Sequence, residues 1–178
     1  MIEIDDAGGG CFIGPEVLVI HRLETGKVWY LDIPPHVEER VKYASKILKA
    51  AFQELAVSKD EPVRLCRGEI FDLFQEYLSS RGYHVVREKV SEATDNLAET
   101  RFMDILYSYG FPRNLALRDR NYQEFYQLVS CWYYYCQEDH PLRGIRKVRL
   151  QPSLFGRRIA RKYPNLVRML LEQEEAIS

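Results

Sequence analysis

The chain has 178 residues, 46% of them hydrophobic and 29% charged, with a formal net charge of −1. It is long enough to bury a core without disulfide staples, and its composition is that of an ordinary globular protein. No apolar run reaches membrane-spanning length and no leader-like pattern opens it, so a cytoplasmic protein without a membrane partner is expected.

The near-zero net charge hides an asymmetry. Residues 1–110 carry 13 Lys and Arg against 19 Asp and Glu, whereas residues 111–178 carry 12 against 7. An acidic front and a basic tail predict two different surfaces. The four cysteines, Cys11, Cys66, Cys131 and Cys136, form no C-x-x-C pair and have no histidine at zinc-finger spacing, so reduced thiols are expected.

In chain order, Met1–Asp5 reads as a strand that ends on two adjacent acids, Asp5 and Asp6, followed by Ala7-Gly8-Gly9-Gly10. Two unit charges about 4 Å apart repel by roughly 4 kcal/mol at an effective dielectric near 20, so the pair calls for compensation. Glu16–Leu23 is rich in β-branched residues, Glu24-Thr25-Gly26-Lys27 is a turn, and Val28–Ile33 is a third strand, giving antiparallel hairpins. After Pro34-Pro35 a helix is expected over His36–Ala56, with Val37, Val41, Ala44, Leu48, Ala51 and Leu55 at helical spacing. Val63–Cys66 is a short strand, Glu69–Ser80 a helix with Gly82 just past its end, Tyr83–Val90 a strand, and Ser91–Tyr109 a helix stopped by Gly110-Phe111-Pro112. Three further helical stretches are expected at Asn121–Gln137, Leu154–Tyr163 and Pro164–Ala176.

The order β-β-β-α-β-α-β-α over residues 1–110 predicts a mixed five-stranded α/β sheet with helices on both faces. Residues 111–178 would form a basic helical extension packed on that domain, its aromatics offering a surface for homodimerisation. This element order, with acids where they fall, resembles the ribonuclease H-like superfamily, in particular its resolvase and YqgF-type nucleases. The resemblance implies metal-dependent phosphodiester hydrolysis on structured or double-stranded nucleic acid, with two divalent ions, Mg²⁺ or Mn²⁺, held by carboxylates.

Carried over by position, Asp5 or Asp6 matches the strand-one acid, Glu69 the acid after strand four, and Asp95 the acid opening the last core helix. Asp6, Glu69 and Asp95 would be the catalytic set, with Asp5 and Glu99 as further metal ligands. Strand alternation sends Asp5 and Asp6 to opposite faces, and Asp6 is favoured as the ligand. Helical phase gives separate support. At about 100° per residue, Ala98, Phe102, Ile105 and Tyr109 lie within ~80° of Asp95, Glu99 sits one turn along, and Asp104 points away.

Each feature also has a plainer reading. Acids at helix N-termini offset the helix dipole for about 0.3–1 kcal/mol. Arg157, Arg158, Arg161 and Lys162 could contact nucleic-acid phosphates or form a solvated helix face. Two alternatives stay open: a non-catalytic ribonuclease H-like module that binds nucleic acid or protein, and a fragment like the actin-like ATPases, in which the glycines after Asp6 hold a phosphate.

Overall fold

The structure, a computed structural model, describes residues 1–11, 13–111, 113, 122, 123, 125–127 and 129. Within them runs one mixed five-stranded sheet flanked by helices. Its strands are β1 (Ile2–Ala7), β2 (Glu16–Arg22), β3 (Lys27–Ile33), β4 (Val63–Leu65) and β5 (Val85–Arg87). Its helices are α1 (Arg40–Glu54), α2 (Asp72–Ser80) and α3 (Glu92–Ser108), with a 3₁₀ turn at Glu69–Phe71 leading into α2. Of the expected tail helices, Asn121–Gln137 is described at 122, 123, 125–127 and 129, all helical; the other two, Cys131, Cys136 and the basic quartet Arg157, Arg158, Arg161 and Lys162 lie outside the described residues. Among the described residues no helix is long and apolar enough to cross a membrane.

The strand order is β3-β2-β1-β4-β5. β1 is antiparallel to β2 and parallel to β4, and β4 is parallel to β5. The first half is a meander joined by short turns; Gly26 takes φ +64° at the β2–β3 turn, where a residue without Cβ is unstrained. The second half needs helical crossovers, which α1 and α2 supply.

Alternation along β1 divides the core into two layers. Ile2 and Ile4 join Leu18, Ile20, Leu48, Phe71, Phe74 and Leu78 beneath α1 and α2. Ala7 joins Val17, Val19, Ala98, Phe102 and Leu106 beneath α3. Phe52 meets Phe74 edge-on at 5.0 Å and 84°, a favourable aromatic geometry. Each fully buried large side chain stabilises the fold by about 1.5–3 kcal/mol relative to exposure.

Three element boundaries differ from the sequence reading. β1 continues through both acids to Ala7, because β2 is long enough to pair with it up to Ala7–Val17. α1 begins at Arg40 rather than His36, because Pro34 starts a turn that the Val37 amide closes at 3.1 Å. β5 is only three residues long, since its sole neighbour β4 offers only Val63–Leu65 as partners.

Glu3 is one of two buried acids to which the sequence reading gave no role, the other being Glu16. Glu3 is fully buried in β1, on the α3 face. Its carboxylate accepts from Arg64 Nη1 at 2.6 Å, Thr94 Oγ1 at 2.6 Å, and both the amide and the hydroxyl of Ser91. His21 Nδ1 meets Thr94 Oγ1 at 2.9 Å. Burial alone would raise the Glu3 pKa, but the bonds from Ser91, Thr94 and Arg64 outweigh it and hold the carboxyl below its ordinary range. Ser91 also caps α3. Glu3 therefore pins the first turn of α3 to β1, and this sets which α3 side chains reach the next acid of the strand.

Candidate metal and catalytic site

β4 pairs with β1 only over Ile2–Ile4, and the last backbone bond runs from the Cys66 amide to the Ile4 carbonyl at 2.9 Å. Beyond that point the chain turns away through Arg67 and Gly68, and the carboxyl end of β1 loses its neighbour on that side. Open α/β sheets characteristically bind ligands in such crevices at strand carboxyl ends. Asp5 and Asp6 stand at this opening.

Asp5 is buried and shares the α3 face with Glu3 and Ala7. Burial raises its pKa; bonds from the Cys66 thiol and the Asp6 amide oppose the rise, and the negative charges of Asp95 and Glu99 add to it. The α3 acids thus act on Asp5. The sequence favours Asp6 as the ligand; the charges of Asp95 and Glu99 are felt at Asp5, because the Glu3 network seats α3 on the odd-numbered side of β1.

Asp6 points to the α1 side and is pushed up to about 8. Burial is the main cause; the charges of Glu16 and Asp5 and a hydrogen bond to Glu16 add to it, and Arg40 opposes it. Glu16 shares a face with Leu18 and Ile20, one strand over. Arg40 clamps it with two bonds, Nε to Oε2 at 2.8 Å and Nη2 to Oε1 at 2.6 Å. The same guanidinium reaches Glu69 Oε1 at 3.3 Å. Glu69 is exposed at the start of the 3₁₀ turn, and it lines a cavity of about 540 Å³ together with Asp6, Arg40, Gly8–Gly10, Gly68, Tyr122 and Tyr126.

Of the predicted acids the structure brings together Asp5 and Asp6; Glu69 lines the cavity beside Asp6, and Asp95 and Glu99 act on Asp5 through their charge, all three standing outside the close group. Glu99 accepts a hydrogen bond from the Tyr122 hydroxyl. Among the described residues, Asp5, Asp6 and Cys66 form a group whose ligand atoms all lie within 4.8 Å of one another. The two carboxylates supply hard oxygen donors of the type that Mg²⁺ or Mn²⁺ takes, and their mutual repulsion would be relieved by a cation. The Cys66 thiol is pushed up to about 12 by burial and by its bond to Asp5, so it acts here as a donor to the carboxylate. The residues fit a hard divalent ion through Asp5 and Asp6.

Close approach explains the glycines. A Cβ on Gly9 would stand 2.4 Å from Glu16 Oε1, one on Gly10 2.6 Å from the Tyr126 ring, and one on Gly68 2.9 Å from Asp6 Oδ1. Gly8 has φ +84°, and its Cβ would stand 2.5 Å from the Phe102 ring. Gly8→Ala is accordingly expected to cost roughly 2–5 kcal/mol in denaturant unfolding, from left-handed strain plus overpacking.

The sequence reading missed Glu16, Arg40, Cys66 and Tyr122. Glu16 carried a faint signal, an acid in phase with the apolar run that follows it. Arg40 carried none, because its role depends on two partners 24 and 29 residues away in the chain. Compared with models of known protein families and with curated proteins, the chain matches none.

Proposed function

We propose that the chain is a metal-dependent phosphodiester hydrolase with a ribonuclease H-like core, acting on structured or double-stranded nucleic acid in the cytoplasm. The observation that carries this reading is the close pair Asp5 and Asp6 at the open carboxyl end of β1, with the charges of Asp95 and Glu99 acting on Asp5 and Glu69 lining the cavity beside Asp6. The strand order and its antiparallel-then-parallel pairing support the same core. Asp5 and Asp6 would hold Mg²⁺ or Mn²⁺, with Glu69, Asp95 and Glu99 around them. When bound, such ions supply Lewis-acid activation of water and stabilise the leaving oxygen. The basic quartet Arg157, Arg158, Arg161 and Lys162 would contact phosphates and make affinity fall with salt.

The test is cleavage of branched DNA, duplex DNA and RNA–DNA hybrid in Mn²⁺ and Mg²⁺. Nicking of at least one substrate is expected, abolished by EDTA and reduced about 100-fold or more by Asp5→Asn. No cleavage of any substrate, together with no Mn²⁺ binding by calorimetry, sinks the proposal.

A second reading, a non-catalytic binding module on the same core, is favoured by one observation. Glu69 is engaged by Arg40, and its carboxylate stands outside the Asp5, Asp6 and Cys66 group. That reading expects nucleic-acid or protein binding that is indifferent to Mn²⁺ and to Asp5→Asn.

A further inference from the structure

The cavity beside Asp6 is lined by two unlike kinds of side chain. Its lining joins the charged groups Asp6, Glu69 and Arg40, the rings of Tyr122 and Tyr126, and Gly8–Gly10. Its volume, about 540 Å³, is that of a small-ligand site. Tyr122 is 38% exposed, and it is fixed at both ends: its ring meets that of Tyr126 at 6.2 Å and 39°, and its hydroxyl donates to Glu99. Tyr126 is in turn packed against Phe125 and over Gly10. A flat, partly exposed ring held in one orientation is a preorganised stacking surface. Acids in the same cavity suit a group that brings a bridging cation, such as a phosphate diester.

We infer that Tyr122 is a nucleobase platform. One unpaired nucleotide of a nucleic-acid strand enters the cavity, stacks its base on the Tyr122 ring and turns its phosphate toward Asp6. This rests on the reading of the acids as a phosphodiester site and specifies its substrate: a strand with at least one unstacked nucleotide at the cleavage point, as found at a junction, a flap or a loop. Fully paired duplex would present no free base face to the ring.

The experiment uses the full chain and a single-stranded oligodeoxynucleotide with a central 2-aminopurine, whose fluorescence is quenched on stacking, in buffer containing Ca²⁺. Quenching on binding is expected. Tyr122→Ala should weaken binding about ten-fold or more and remove the quenching, in keeping with the loss of a base–aromatic stack. Tyr122→Phe keeps the ring and loses the bond to Glu99, and it should bind within about three-fold of the parent. Equal losses in the Phe and Ala variants would overturn the proposal, since the side chain would then act only through its hydroxyl on Glu99. Parent-like binding by Tyr122→Ala would overturn it as well, and so would a 2-aminopurine mononucleotide that binds as tightly as the oligonucleotide. Quenching without any cleavage by the parent keeps the platform and removes the hydrolase; cleavage without quenching does the reverse.

Discussion

Glu3→Ala is expected to cost the protein roughly 3–5 kcal/mol, the loss typical of breaking a buried charge network by removing one partner. Glu3 is the acceptor for Arg64, Ser91 and Thr94 at once, so truncation leaves a guanidinium, an amide and two hydroxyls short of a partner in the interior. Urea unfolding followed by circular dichroism would measure the loss. Glu3→Gln keeps the shape and one acceptor oxygen, so it should lie between the parent and Glu3→Ala. The pH dependence has a definite sign. The Glu3 pKa is lowered in the fold, so its stabilisation is present above the ordinary value of 4.5 and is lost as pH falls below it. The acid limb of the stability profile should be shallower in Glu3→Gln. A variant as stable as the parent would show that α3 is held by its apolar stripe alone.

In metal-free protein, Asp6 gives the opposite slope. Its folded pKa, about 8, lies above the ordinary 3.8. Between those values the folded state keeps a proton that the unfolded chain has released, so stability falls as pH rises across that window. The ceiling on the slope is about 1.4 kcal/mol per pH unit for one group. Asp5, also raised, adds in the same direction. The expected result in EDTA is a melting temperature lower at pH 8 than at pH 5. Asp6→Asn, which has no proton to release, should flatten that fall and be more stable than the parent at pH 8. Mn²⁺ should raise the melting temperature of the parent most at pH 8, where it replaces the missing proton, and raise that of Asp6→Asn much less. A parent profile that is flat between pH 5 and pH 8 in EDTA would mean that Asp6 ionises freely. The acids would then lack the mutual repulsion that makes a cation stabilising.

The architecture was legible because its signals are local. β-Branched runs broken by Gly26, the Pro34-Pro35 stop and the three-and-four spacing on α1 and α3 each lie within a dozen residues. The extent of β1 was less so, since an acid pair reads as a strand end, and only the partner strand reveals that pairing continues through it to Ala7. Helical phase separated the α3 acids, for Asp95 and Glu99 are half-buried and Asp104 is exposed. That their charge is felt at Asp5 was not legible, because it depends on the seating of α3, which Glu3, Ser91 and Thr94 set across 88 to 91 residues of chain. Arg40 was invisible for the same reason, as its two carboxylate partners are joined to it only by the fold.

The central place of β1 also has a kinetic side. It is made before the other described strands, yet its second edge pairs with Val63–Leu65 and its α3 face packs on residues from about 91 onward. The β1–β2–β3 meander can form early from near neighbours, but the parallel pairing must wait for a loop of about sixty residues to close, which is slow. In the interval a growing chain shows an apolar strand edge bearing Ile2 and Ile4, of the kind that recruits other strands. Chains halted shortly before Val63 should therefore aggregate, and those that include α3 should not. Glu3 makes one of these long connections, so the network that locks α3 to the sheet can form only once residues 91–94 have been made.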